Sequence, residues 1–316
     1  MTVRSRIEKE TGRSALRPLV KSAPWLIFLV VLAGGLSADQ AALRIQARTG
    51  AAVEITCRSF QPGEAVLAVL HKTADVQAAK ITFLGKSSGF AAMGPKGLPF
   101  ALLAISLDTR PGSYRVRAEF LGRSGKKEIV ERYVRVQDRS FLRRDIFLED
   151  ESRVTPPPEA EERIAHEQQL LARVYQSTGP EWLGSGNFKL PLDGQPIPNF
   201  GEIRILNKVR RSRHTGVDMD AEMGVEVSAS NSGRVTLAMD LYFSGNTVVL
   251  DHGLGVFSVY CHFSRLAVQE GQVVRRGDVI GTVGSTGRAT GPHLHWAVRL
   301  QETRVDPLSV LSLVLE

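Results

Sequence analysis

The sequence predicts an all-β protein whose two β-rich parts are joined by a helical linker. Three observations support this fold class. Short apolar runs separated by turn residues recur through residues 40–137, one stretch of helical periodicity follows, and glycine-rich strands resume at Phe188. A length of 316 residues suits two domains better than one. A hydrophobic content of 43% and a charged content of 23% are typical of folded globular proteins.

Residues 1–38 have the organisation of a secretory signal peptide or an N-terminal anchor. Residues 1–21 are basic, and a 12-residue run of apolar residues and glycine follows from Trp25 to Leu36. A membrane-spanning helix needs about 20 apolar residues, so the shorter run favours a signal peptide cut near Ser37 or Ala38. We therefore expect export to the periplasm or cell envelope, with membrane contact only through this segment if it is uncleaved.

Residues 40–137 are predicted to form an immunoglobulin-like β-sandwich. Most of the strand-like runs alternate apolar and polar residues, and turns such as 61–63 and 110–112 separate them. The predicted strands are 52–57, 65–71, 81–83, 100–107, 114–120 and 129–136. Because no catalytic pattern occurs here, this part is a candidate for binding an envelope protein partner.

Residues 138–187 are predicted to be a linker with one helix. An acidic run and three consecutive prolines precede residues 159–175, in which apolar residues recur at helical spacing. These apolar positions are Ile164, Leu170, Leu171 and Val174.

Residues 188–316 are predicted to form a glycine-rich β-sheet domain. Its predicted strands are 225–229, 233–239, 246–251, 256–263, 279–283 and 294–300. Segments 230–235 and 270–281 resemble the hairpins of biotinyl and lipoyl carrier domains, which display a modified lysine. The span 209–316 contains no lysine, so a carrier function is excluded while a related hairpin architecture is retained.

Charge and cysteine content limit the partners. A formal net charge of +7 favours anionic partners such as cell-wall polymers. The sequence contains no nucleic-acid-binding motif and no patch of interleaved aromatic and basic residues, so we expect no nucleic-acid partner. Cys57 and Cys261 do not make a disulfide framework, and we expect Cys261 to pack as a small hydrophobic residue.

Five of the seven histidines lie between positions 214 and 295, in a pattern typical of a zinc site. His214 and Asp218 form a His-x-x-x-Asp pair, and His293 and His295 form a His-x-His pair. Two imidazoles and one carboxylate suit one zinc ion with an open fourth position, and two more imidazoles, including His262, remain for proton transfer. We expect His214 on a loop and Asp218 at the start of a short strand.

The period of a β-strand predicts which of these side chains share a face. Residues two apart point the same way, so His293 and His295 share one face while Trp296 points into the core. By the same rule Tyr260 and His262 would share a polar face with Ser258. The residues predicted to form the opposite, apolar face are Val259, Cys261 and Phe263.

These motifs resemble those of the lysostaphin-type (LytM-like) zinc metalloendopeptidases, which cut the peptides of bacterial peptidoglycan. The resemblance covers about residues 188–310 and depends on the stretches 214–218, 246–252, 260–262, 281–287 and 291–296. It implies that His214, Asp218 and His295 bind one zinc ion per chain. It also implies that His262 and His293 are the catalytic imidazoles.

The resemblance implies a secreted zinc metalloendopeptidase that hydrolyses stem peptides or cross-bridges of peptidoglycan. Some relatives lack metal ligands and activate cell-wall amidases, so the alternative is a non-catalytic envelope regulator; the complete ligand set favours the enzyme. The family fold implies a groove walled by loops, here 209–213, 240–245 and 285–291. Ser285 and Thr286 are candidates for binding the substrate backbone, and His252, without a metal role, is expected in a hairpin turn near the groove.

Overall fold

Strands are the main secondary structure of the chain that the computed structural model describes, which is residues 40–92, 97–176 and 179–315. The predicted all-β class is therefore confirmed at this level. The predicted signal peptide or anchor at 1–38 lies outside the described residues. In the ranges given, none of the helices combines the length and the apolar character that crossing a bilayer would require.

The first part of the described chain forms two four-stranded antiparallel sheets. In chain order its strands are β1 (Ala41–Gln46), β2 (Ala52–Cys57), β3 (Ala65–His71), β4 (Val76–Phe83), β5 (Lys86–Gly89), β6 (Phe100–Ala104), β7 (Gly112–Gly122) and β8 (Lys127–Val136). One sheet has the order β1-β2-β3-β6 and the other β5-β4-β7-β8. Side chains of both sheets, such as Ile55 and Ile81, share one apolar core. The immunoglobulin-like description stays a prediction.

The predicted linker contains more structure than one helix. It holds strand β9 (Arg143–Ile146), a 3₁₀ helix (Glu151–Arg153) and helix α1 (Pro158–Gln176), which agrees closely with the predicted 159–175. Pro158 at the first position of α1 is favoured because that residue needs no backbone donor. The apolar side of α1, including Leu171 and Val174, packs against Phe257 of the following sheet.

The C-terminal part contains a small sheet and a large one. In chain order its elements are β10 (Ile203–Leu206), β11 (Arg210–Arg213), β12 (Val217–Asp220), β13 (Glu226–Ser228), β14 (Gly233–Leu241), β15 (Gly245–Asp251), β16 (Val256–Leu266), β17 (Val273–Val274), β18 (Val279–Val283), β19 (His293–Leu300), β20 (Thr303–Val305) and helix α2 (Pro307–Leu311). The large sheet follows the path β12-β19-β16-β15-β14-β17, with β13, β18 and β20 beside it. In the small sheet, β10 pairs antiparallel with β11 and parallel with β9. The likeness to carrier hairpins stays a prediction.

Strands β3 and β6 are buried on both faces. Val66 of β3 points into the core between the first two sheets, whereas Leu67 joins the core of the C-terminal part together with Phe100 and Trp296. A strand covered on both faces reads as a continuous apolar run, as the sequence does at 65–70, and not as an alternating one. The two β-rich parts therefore share a core, although the domain boundaries themselves stay predictions.

A cluster of ion pairs lies at the junction between the two β-rich parts. Glu64 and Asp306 are 1% and 2% exposed, and they are bridged by two arginines. Arg58 contacts Glu64 at 2.5 Å and Asp306 at 2.7 Å, while Arg139 contacts them at 3.3 and 2.8 Å. The side chain of Asp306 also accepts from the backbone N–H of Leu308 and caps α2. We call these four charged residues the junction cluster.

Candidate metal centre and groove

The pairing of β12 with β19 brings a carboxylate next to an imidazole 77 positions away. Asp218 lies directly opposite His295. Opposite residues of antiparallel strands project to the same face, so both side chains point into the same groove. Leu294 and Trp296, which alternate with the histidines of β19, are fully buried in the core, as the sequence predicts.

His214 reaches this pair from the short connection between β11 and β12. Its backbone N–H donates to the carbonyl of Glu202, and its carbonyl accepts from the N–H of Gly201. The connection approaches β19 closely, because a Cβ at Gly216 would lie 2.4 Å from the carbonyl oxygen of Trp296. Only glycine fits there, which explains the glycine between His214 and Asp218.

Three donor atoms meet at this point. His214 Nε2 lies 2.9 Å from His295 Nδ1, and each of these nitrogens lies 3.0 Å from Asp218 Oδ1. Ligands of a tetrahedral ion with bonds of about 2.0–2.1 Å are about 3.3 Å apart, so the triangle is close to that of a three-ligand zinc site. The predicted ligands are thus brought together, and their role as ligands stays a prediction.

Hydrogen-bond partners outside the triangle orient the side chains of His214 and Asp218. His214 Nδ1 lies 3.0 Å from the carbonyl oxygen of Asn199, which can only accept, so the proton is on Nδ1 and Nε2 is bare. Asp218 Oδ2 accepts from Asn199 Nδ2 at 3.0 Å and from Arg204 at 2.7 Å, leaving Oδ1 for the triangle. Burial opposes the charge of Asp218, but the adjacent His214 and His295 side chains hold its pKa well below the usual range.

His262 joins the site through a β-bulge, which corrects the predicted alternation of β16. The register with β15 shifts between the pairs made by Tyr260 and Phe263, and His262 has a φ of +67°. The extra residue reverses the alternation beyond Tyr260. His262 consequently lies on the groove side, with its ring centroid 4.8 Å from that of His293 and 6.1 Å from that of His295.

The same bulge makes the predicted faces of the other β16 residues wrong. Tyr260 and Ser258 are fully buried in the core and do not share the groove face with His262. Cys261 pairs with His295 and therefore points to the groove side, where it is nevertheless 4% exposed. Cys57 and Cys261 are both buried and free, and burial raises the pKa of the Cys261 thiol to about 12.

The two predicted catalytic imidazoles are held in the same way. Their Nδ1 atoms face carbonyl oxygens of one loop: His262 faces Thr286 at 2.7 Å, and His293 faces Gly291 at 2.8 Å. Each Nδ1 therefore carries the proton, and each Nε2 is left as the basic atom. Burial, followed by the nearby His293 and His295, lowers the pKa of His262 to about 3, so this ring is neutral at pH 7.

Two further expectations about the groove need correction. The hydroxyl of Thr286 accepts from the Asn246 N–H and donates to the Phe263 carbonyl, both at 2.9 Å, so it serves the loop rather than a substrate backbone. His252 is completely buried and does not lie near the groove. Its Nδ1 donates to the Ser232 carbonyl at 2.7 Å and its Nε2 lies 2.7 Å from Ser258 Oγ.

The groove encloses about 260 Å³ beside the triangle. Of the predicted walls, 285–291 contributes Arg288 and Thr290, whereas 210–213 is strand β11 rather than a loop and contributes Ser212 and Arg213. Segment 240–245 is not among the lining residues. No pattern in the sequence predicted the remaining wall. The linker and its continuation supply it with Arg144, Ile146, Leu148, Ile197, Asn199, Arg204 and Leu206.

Comparisons with known proteins agree with this geometry. Residues 212–307 match the profile described as "Peptidase family M23". The chain is 46% identical over 97 residues to the DD-carboxypeptidase/endopeptidase Mpg of Neisseria meningitidis, which covers 31% of this chain and 22% of that protein. It is 39% identical over 111 residues to the peptidoglycan DD-endopeptidase ShyA of Vibrio cholerae, covering 35% and 26%. The chain thus spans about a quarter of the length of these two relatives.

A solved structure extends the likeness beyond the matched segment. A crystal structure of a Pseudomonas aeruginosa protein assigned to peptidase M23 superimposes with a TM-score of 0.60 at 28% identity, covering 79% of this chain and 94% of that one. That overlap is longer than the segment that the profile matches. The profile match contains all four groove histidines and Asp218. This chain therefore carries a peptidase M23 domain at residues 212–307.

Proposed function

We propose that the protein is an exported zinc metalloendopeptidase that hydrolyses peptide bonds in peptidoglycan. The single observation that carries the proposal is the triangle of His214 Nε2, His295 Nδ1 and Asp218 Oδ1, whose atoms lie 2.9 to 3.0 Å apart. Two imidazoles and one carboxylate form a donor set that suits zinc. The name of the Vibrio cholerae relative, a peptidoglycan DD-endopeptidase, supports the substrate class.

The residues around the triangle have the properties that amide hydrolysis needs. A bound zinc ion supplies Lewis acidity, which acidifies water and polarises a carbonyl group. The Nδ1 atoms of His262 and His293 both face carbonyl oxygens, and both rings border the same groove, so the Nε2 of one can accept a proton from attacking water. The protonated imidazole can then return that proton to the departing amine.

The non-catalytic alternative requires different properties of the same residues. An activator of another hydrolase needs the shape of the groove but neither the triangle nor two imidazoles beside it whose Nδ1 atoms are fixed by carbonyl oxygens. The geometry therefore favours hydrolysis by the chain itself. Export is proposed because the substrate lies outside the cytoplasmic membrane and because residues 1–38 have the composition of a signal peptide or anchor.

Digestion of purified sacculi tests the proposal. The protein is incubated with sacculi, and the released muropeptides are identified by mass spectrometry, with and without a zinc chelator. We expect peptide-bond cleavage products that disappear with the chelator and return when zinc is restored. Intact sacculi at full zinc occupancy, combined with stimulation of an added amidase, would instead establish the regulator.

A further inference from the structure

Arginines give the groove a positive wall, and most of them are neutralised within the chain. Arg144 and Arg204 both bind the buried carboxylate of Glu202, each at 2.9 Å. Arg213 binds Asp108 at 3.3 Å. These three side chains therefore have their counter-charges in place.

Arg288 lines the same groove but differs from the other arginines. Its guanidinium lies over the ring of Phe243 at 5.0 Å and, within the described ranges, forms no hydrogen bond or ion pair with any acceptor. The side chain is half-buried, and burial together with the positive charges of Arg210 and Arg204 lowers its pKa. A cation that has lost water without gaining an anion is unfavourable, so this position favours a negatively charged ligand.

The nearest acidic residues do not supply that charge. Arg288 also borders an adjoining cavity of about 290 Å³ that is lined by Glu149 and Asp150. Asp150 binds Arg153 at 3.2 Å instead, and Glu149 forms no ion pair with Arg288. The guanidinium thus faces the junction of two cavities with its donors free.

Arg288 is held close to the reacting groups by its own loop. The carbonyls of Thr286 and Gly291, on either side of it, fix the rings of His262 and His293. The N–H of Arg288 donates to the carbonyl of Phe243 at 2.8 Å, which anchors the loop between these two contacts. The guanidinium and both imidazoles therefore line one groove, so a ligand bound at the imidazoles can also contact the guanidinium.

We propose that Arg288 binds a carboxylate of the substrate peptide and so selects peptides with a negative charge near the scissile bond. This inference rests on the proposed function, because the ligand is the peptide to be cut. A guanidinium binds a carboxylate through two parallel hydrogen bonds, which fixes the direction of the peptide as well as its charge. Arg288 is thus a substrate-binding residue and takes no part in proton transfer.

The test measures binding, so it does not require turnover. Zinc-loaded His262→Ala protein, with and without Arg288→Gln, is titrated by calorimetry with synthetic stem peptides in four forms: unmodified, amidated at the C-terminus, amidated at the side-chain carboxylates, and fully amidated. We expect Arg288→Gln to weaken binding of the unmodified peptide about 10-fold or more and to leave the fully amidated peptide unaffected. The singly amidated form that has lost its dependence on Arg288 identifies the carboxylate.

The controls separate this inference from the proposed function. Arg275→Gln removes an exposed arginine outside the groove and should change no affinity, while Arg288→Lys should keep part of the binding because it keeps the charge. Equal weakening of all four peptides by Arg288→Gln, or no weakening, would overturn the carboxylate subsite while sacculus digestion could still proceed. Conversely, Arg288-dependent binding without any digestion by the wild-type protein would retain the subsite and reject the peptidase.

Discussion

The groove and the junction cluster both bury carboxylates, but they obtain positive charge differently. Glu64 and Asp306 in the junction cluster are bridged by Arg58 and Arg139, so their counter-charges are part of the chain. Asp218 in the groove has one arginine, Arg204, on Oδ2, while its Oδ1 faces nitrogen atoms of His214 and His295 and no fixed cation. A complete cluster of this kind is structural, whereas an incomplete one implies a ligand from outside.

The largest expected effect comes from breaking the incomplete cluster. His295→Ala removes one corner of the triangle, so we expect loss of bound zinc and a fall in peptidoglycan cleavage of about 10⁴-fold, because the Lewis acid supplies several kcal/mol of the lowered barrier. Zinc per chain is measured by mass spectrometry and cleavage by release of muropeptides. His166→Ala, which alters an exposed histidine on α1, is the matched control and should change neither.

A second variant separates proton transfer from metal binding within the groove. His262→Ala should keep zinc at the wild-type level, because the ring is not a corner of the triangle, and should reduce turnover about 10²–10³-fold. Zinc content and kcat are compared on the same preparation. Unchanged kcat would remove His262 from the mechanism, and lost zinc would place it among the ligands.

Breaking the complete cluster should cost stability and leave the groove intact. Arg58→Met leaves Glu64 and Asp306, both almost fully buried, with Arg139 as their remaining cation. Removing one partner of a buried ion pair costs about 3 kcal/mol of unfolding free energy, measured by denaturant titration. Zinc stoichiometry should not change. Arg48→Met, at an exposed arginine in the same β-rich part, is the control for loss of charge alone.

Local patterns were sufficient where a strand is regular. The alternation in β19 correctly placed His293 and His295 on one face and Trp296 in the core, and helical spacing located α1 within one residue at each end. The His-x-x-x-Asp and His-x-His pairs likewise located the triangle, because each pair comes from one short segment. These features depend on neighbours in the sequence.

Features that depend on distant partners were missed. The bulge that turns His262 into the groove depends on how β16 pairs with β15, and the residues near position 262 do not predict it. Strand β9 is four residues long and mostly charged, and it becomes a strand only by pairing with β10, 60 positions away. The Arg204 contact to Asp218 and the whole junction cluster arise in the same way, from charges whose partners are known only after folding.

His252 provides the smallest test, since it is a buried histidine outside both clusters. Burial lowers its pKa from 6.5 to about 4, and its Nε2 and Nδ1 are both engaged within the core. Between these pH values the unfolded chain binds a proton that the folded chain does not, so the free energy of unfolding rises with pH. His252→Gln should flatten this dependence by about 1.4 kcal/mol per pH unit near pH 5.

The comparison with wild type is made in zinc-free protein, by denaturant titration at pH values from 4.5 to 7.5, roughly spanning the window that separates the two pKa values. All other residues are the same in both proteins, so their contributions cancel in the difference, which isolates His252. The difference should be constant above pH 7, where the ring is neutral in both states, and His166→Gln should show the wild-type slope throughout. If the free energy of unfolding had the same pH slope in wild type and His252→Gln, the core ring would accept a proton without unfolding. Its hydrogen bonds to Ser232 and Ser258 would then not keep it neutral.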